Sequence, residues 1–160
     1  MPLTFLSSMG LTLDLHQIVG EIVRFMKADT KRAYTIIIGT DSMGLSTGHA
    51  DFVTAIVIHR RGNGGRYFWR RIELGKFHTL RDRIIKEVML SLDAAQALLA
   101  ILKEEAKDIA WDFEIHADIG ANGETKVLIQ EVVGMIRANN FEVKTKPDSY
   151  AASKVADRHT

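Results

Sequence analysis

Tyr34-Thr35-Ile36-Ile37-Ile38-Gly39-Thr40-Asp41-Ser42 is the stretch on which the reading of this chain turns. Ile36 to Ile38 are β-branched and apolar without alternation. A central strand covered on both faces needs such a run. The pattern predicts a strand over 34–40. It ends in small and polar residues, so it delivers the carboxylate of Asp41 at a strand end with room beside it.

Toward the C-terminus, residues 51–59 form a second apolar run and 66–74 a third. Between them Arg61-Gly62-Asn63-Gly64-Gly65 is a turn signal, so the two runs read as a hairpin. Residues 79–107 carry one apolar stripe at helical spacing: Leu80, Ile84, Val88, Leu92, Ala95, Leu99 and Leu102. Residues 111–118 alternate with period two, a strand that Gly120-Ala121-Asn122-Gly123 ends. A helix over 125–138 follows, with Val127, Leu128, Val132, Met135 and Ile136 on its buried side. A short strand over 141–145 and a helix over 149–160, capped by Asp148 or Ser149, close the chain. Toward the N-terminus, residues 12–27 read as a helix, with Asp14 and Gln17 as a capping box. The order is helix, three strands, helix, strand, helix, strand, helix. That is an α/β fold in which antiparallel pairs precede strand–helix–strand crossovers. One domain over 1–160 is expected, with 1–30 a helical extension on a core of 31–160.

Composition removes several classes. There is no cysteine, so disulfides and thiolate metal sites are excluded. No apolar run approaches the roughly 18 residues of a membrane span, and residues 1–15 lack the pattern of a signal peptide. A cytoplasmic protein that makes no membrane contact is expected. The net charge of +1 hides a split. Residues 60–86 hold nine basic residues against two acidic, and residues 103–124 hold seven acidic against two basic. That division suits a protein that grips phosphates on one surface and holds cations at another. Two solvated faces of opposite sign would look the same.

Hydrolysis of a phosphodiester requires an activated water and a neutralised phosphorus and leaving oxygen, which two divalent ions roughly 4 Å apart supply. Magnesium takes hard oxygen ligands, and strand ends of an open sheet gather carboxylates that are distant in sequence. Asp41 and Asp118 both stand at strand ends; each could equally cap the loop that follows. Asp148 opens a helix and reads first as an N-cap. Glu87 flanks the apolar stripe of the long helix, as a metal ligand or as a surface partner of Arg83. His116 shares a face with Asp118, as a ligand or as a hydrogen-bonded structural residue. His78, before the long helix, could contact phosphate or be a plain loop residue. Thr125 and Lys126 open a helix on which a phosphate could rest.

The segments Ile37-Ile38-Gly39-Thr40-Asp41-Ser42, Glu114-Ile115-His116-Ala117-Asp118-Ile119-Gly120, and Lys146-Pro147-Asp148-Ser149 through Ala151-Ala152-Ser153 resemble the YkuK-type branch of the ribonuclease H-like superfamily. The resemblance runs from about residue 12 onward. It implies a mixed five-stranded sheet in the order 3-2-1-4-5 and a nuclease using Mg2+ or Mn2+. By this resemblance Asp41, Glu87 and Asp118 are the first-strand, helix and fourth-strand carboxylates. Asp148 is the last ligand, with Asp157 the lower-ranked candidate. Ser42 stands where type 2 ribonucleases H carry a glutamate, so their metal site cannot be copied whole, and Ser42 is at most accessory. A nucleic-acid grip is expected from Arg60, Arg61, Arg66, Arg70, Arg71, Arg81 and Lys146, the kind of nucleic acid and the oligomeric state being open. Two other readings stand beside the nuclease. One is a non-catalytic module that binds nucleic acid or protein on the same fold. The other is a phosphotransfer or ATPase role, since Asp118-Ile119-Gly120 to Thr125 faintly resembles the phosphate loops of actin- and hexokinase-like proteins.

Overall fold

The computed structural model describes residues 3–120, 123–151 and 154–155. Strands β1 (Thr4–Ser7) and β2 (Thr12–Asp14) precede helix α1 (Leu15–Lys27). Strands β3 (Tyr34–Gly44), β4 (Ala50–Arg60) and β5 (Gly65–Leu74) then lead into helix α2 (Leu80–Glu105). Strand β6 (Asp112–His116), a 3₁₀ turn (Gly123–Leu128), helix α3 (Ile129–Ala138) and strand β7 (Glu142–Lys144) follow. Ala151, Lys154 and Val155 are helical.

The strands form one sheet in the order β2-β1-β5-β4-β3-β6-β7. From β5 to β7 this is the expected 3-2-1-4-5 order, with β3 antiparallel to β4 and parallel to β6. The sheet has seven strands rather than five because the N-terminal extension is not only helical. β1 pairs with β2 and also lies along β5, Leu6 opposite Trp69 and Ser7 opposite Phe68. Strands of four and three residues are too short for periodicity to reveal, and the partner that docks β1 on the sheet, β5, lies some sixty positions away. The α1 capping box is present: Asp14 accepts from the Gln17 N–H, and the Gln17 side chain accepts from the Asp14 N–H. Thr79 caps α2 by accepting from the Asp82 N–H.

The expected helix over 125–138 is corrected. Its first residues, 125–128, are 3₁₀, and helix α3 begins only at Ile129. Three residues per turn shift the phase of the stripe, so Leu128, Val132 and Ile136 are buried while Val127 is 84% exposed.

Strand alternation splits β3 between the two sheet faces. Ile36, Ile38, Thr40 and Ser42 face α2. Ile36 and Ile38 join Ile18, Ile22 and Met26 of α1 and Leu98 and Leu102 of α2 in the main core. Ile37, Gly39 and Asp41 face the other way, where Val53 and Ala55 of β4 meet Val155. Beneath the C-terminal end of β3, Thr40 Oγ1 lies 2.9 Å from Thr54 Oγ1 and 2.8 Å from Ser91 Oγ. These buried hydroxyls satisfy one another and tie β3 and β4 to α2. No described helix is long and apolar enough to cross a membrane.

Candidate active site at the β3–β6 edge

Register brings the first two carboxylates together. The parallel β3–β6 ladder ends at Gly39 opposite His116. Asp41 and Asp118 each stand two residues beyond that pair, at the same end of the sheet. Asp41 is not past its strand, as expected, because β3 continues to Gly44 against β4, with Asp41 opposite Val53. β6 stops at His116, which leaves Asp118 in the connection.

Helix α2 brings the third. Glu87 is 8% exposed and accepts a hydrogen bond from Ser42 Oγ. Burial pushes its carboxyl up to about 8; the Ser42 bond lowers it, while the charges of Asp41 and Asp118 raise it and Arg83 lowers it. Glu87 therefore lies within electrostatic reach of both strand carboxylates, as three acidic groups in one low-dielectric site require. With Asp118, Thr40, Ser91 and His116 it lines a cavity of about 10 Å³. The donors are all hard oxygens, and their repulsion is what a divalent cation relieves, so the set fits magnesium or manganese in kind. Among the described residues no three acidic or histidine side chains are yet gathered closely enough to hold an ion. Two contacts hold them: Ser42 engages Glu87, and Lys146 Nζ lies 3.3 Å from Asp118 Oδ1.

Asp148 sits apart from this trio. It lies exposed in the turn after β7, its N–H donating to the Thr145 carbonyl, and its charge acts on His116 rather than on Glu87. Asp157 lies outside the described residues, as do Ala121 and Asn122 of the stretch that resembles a phosphate loop. His116 is committed to the fold. Its Nδ1 accepts the Tyr150 N–H at 3.1 Å, so Nε2 carries the proton toward Glu114 Oε1 at 2.8 Å. Burial lowers the pKa of His116 despite the Glu114 contact. Its ring meets that of Tyr150 edge-on at 4.8 Å, which pins the start of the final helix to β6.

The basic stretch of 60–86 is not one surface. The β4–β5 turn pairs beside Tyr34, seven residues from Asp41 along β3 and roughly 23 Å away at strand rise. Arg60 stacks 4.0 Å over Phe25 and donates to the Phe25 carbonyl and the Tyr34 hydroxyl; Arg66 also lies over Phe25. Arg61 faces Asp112 at the same far end. Arg70 lines a cavity with Leu3, Phe5 and Asp93 on the helical face. Arg81 pairs with Glu131. Arg71 is the residue of this group that shares both the level and the face of Asp41, across Val53, and it pairs with Asp51. Sequence reasoning took Arg83 only as a surface partner of Glu87, one helical turn on, and did not single out His49, which lines a neighbouring cavity with Arg83.

This topology, with acidic groups where the two parallel central strands end, defines a ribonuclease H-like protein. The chain belongs to that family, which matches residues 17–160. It is 32% identical to the uncharacterized protein YkuK of Bacillus subtilis (strain 168), over 92% of this chain and 91% of that one. No solved structure matches the chain significantly.

Proposed function

We propose that this protein is a divalent-metal-dependent nuclease that hydrolyses phosphodiester bonds at the β3–β6 edge. The observation that carries the reading is that the parallel register puts Asp41 and Asp118 at one end of the sheet, where Glu87, bonded to Ser42, lines the same cavity as Asp118. Magnesium or manganese, when bound there, supplies charge neutralisation at the scissile phosphate and an activated water. Asp41 and Asp118 offer fixed carboxylates from the sheet. To hold such an ion, Glu87 would have to give its proton to solvent and part from Ser42, and Lys146 would have to part from Asp118, leaving its ammonium available to phosphate. Asp148, the fourth carboxylate the family resemblance implies, lies exposed in the turn after β7 and apart from the trio, and would have to approach it to serve as a ligand.

The test is incubation of single-stranded, duplex, hybrid and junction DNA and RNA with magnesium or manganese, beside an Asp41→Asn control. Cleavage by the wild type and none by the variant is expected. Cleavage by both at equal rates would remove Asp41 from the chemistry.

One observation favours a non-catalytic nucleic-acid-binding module instead: Glu87 and Asp118 are each satisfied without a cation, by Ser42 and by Lys146. Nucleic-acid binding that neither needs nor changes with magnesium would decide for it.

A further inference from the structure

Beside the carboxylates lies a second, chemically opposite site. The β3–β4 turn and the segment entering α2 enclose a cavity of about 260 Å³. Its walls include Gly44, His49, His78, Thr79 and Arg83. Water's share of liquid volume is about 30 Å³, so there is room for a phosphate group with part of its sugar. The polar side chains are cationic or hydrogen-bonding, and no carboxylate lines the cavity among the described residues.

The Arg83 guanidinium is held in place, its charge acting on Glu87, with one of its N–H groups left without an acceptor. Its Nη1 lies where a side chain on Gly44 would begin, 2.5 Å from an ideal Cβ. Its Nε is buried and has no hydrogen-bond partner. Among the described residues no carboxylate comes within ion-pair distance of it, unlike Arg71 and Arg81. A buried guanidinium N–H without an acceptor costs about 1–3 kcal/mol, and an anion in this cavity would supply one. His49 is oriented by Thr47, 3.1 Å from its Nδ1. His78 is exposed at the rim. The first turn of the 26-residue helix α2 adds a favourable dipole to these side chains.

Arg83 and Glu87 are four residues apart on α2, with Cβ atoms roughly 5–6 Å apart. Successive phosphates of a nucleic-acid strand are spaced on that scale. We infer that this cavity is a phosphate subsite, in which Arg83, with His49 and His78, takes the backbone phosphate next to the one presented to Asp41, Glu87 and Asp118. The inference rests on the nuclease reading for its ligand's identity, but the anion site itself can be tested without it. It moves the phosphate grip from the far β4–β5 turn to the mouth of the carboxylate site.

Two measurements decide it. In the first, inorganic phosphate is titrated into metal-free, isotope-labelled protein while the ring resonances of His49 and His78 and the Nε–H of Arg83 are followed by NMR. Saturable shifts at all three are expected, with affinity at least tenfold weaker in Arg83→Gln and several-fold weaker in His78→Ala, an exposed position that leaves the fold alone. No shift at millimolar phosphate, or equal affinity in a folded Arg83→Gln protein, overturns the subsite. In the second, the Asp41→Asn protein is bound to oligonucleotides that each carry one neutral methylphosphonate linkage. Loss of affinity confined to one linkage in wild-type Arg83, and absent in Arg83→Gln, supports the assignment; uniform small losses overturn it. Phosphate binding without cleavage under any metal would keep the subsite and end the nuclease reading. Cleavage with no phosphate response would do the reverse.

Discussion

Replacing Glu87 with glutamine should stabilise the metal-free protein, and by an amount that grows with pH. Glu87 is buried, its carboxyl is pushed up from 4.5 to about 8, and the causes are desolvation and the charges of Asp41 and Asp118, opposed by Ser42 and Arg83. The unfolded chain ionises this group near 4.5, while the folded protein keeps it protonated up to about 8. Between those values the unfolded state binds fewer protons, so stability falls as pH rises, by about 1.4 kcal/mol per pH unit. Integrated, the penalty is about 1 kcal/mol at pH 5, about 3 at pH 7 and about 4 at pH 8. These are upper limits, because local opening lets water reach an ionised Glu87. Glutamine has nearly the shape of the protonated carboxyl, can still bond Ser42 Oγ, and has no proton to lose. Glu87→Gln should therefore be near neutral at pH 5 and more stable by as much as about 3 kcal/mol at pH 7. The assay is urea unfolding of both proteins with chelator present, from pH 5 to pH 8. A constant difference across that range, or a destabilised variant at pH 8, would refute the reasoning. Magnesium supplies the complementary test: it should stabilise the wild type and release a proton from it, and do neither in the variant.

Asp41→Asn should abolish cleavage and keep the fold, with a much smaller magnesium-dependent gain in melting temperature than the wild type, read by thermal unfolding beside a cleavage assay. Arg60→Ala should lower stability by about 1–2 kcal/mol, since Arg60 stacks on Phe25 and bonds the Phe25 carbonyl, and should leave nucleic-acid affinity unchanged. An intact melting temperature with weakened binding would reverse that assignment. Lys146→Ala should change metal-free stability by less than about 1 kcal/mol, because the pair with Asp118 is largely solvated. It should tighten magnesium binding by calorimetry, because a competing cation has gone.

The element order and the 3-2-1-4-5 core could be read from the chain because they rest on local periodicity. Three successive β-branched residues at 36–38 mark a covered strand, and the alternation over 111–118 marks another. The α1 capping box was legible for the same reason, being a contact between residues three apart. Asp41 and Asp118 could be singled out because strand ends are visible in sequence, and the parallel register then places them at one edge.

What the sequence by itself could not determine depends on contacts made at a distance. β1 is a strand because β5 supplies a ladder partner some sixty residues on, and β2 in turn pairs with β1. Nine basic residues in one stretch look like one surface, but a hairpin carries its turn and its ends to opposite edges of a sheet. Arg60 is thus spent on Phe25, while Arg83 comes to rest beside the carboxylates. His116 and Asp118 share a strand face on paper. In the fold the Tyr150 N–H takes the ring nitrogen of one and Lys146 takes the carboxylate of the other. Burial decided the last point. The sequence offers Glu87 either as a metal ligand or as a surface partner of Arg83, and only burial beside the β3–β6 edge makes it a group that holds its proton near neutral pH.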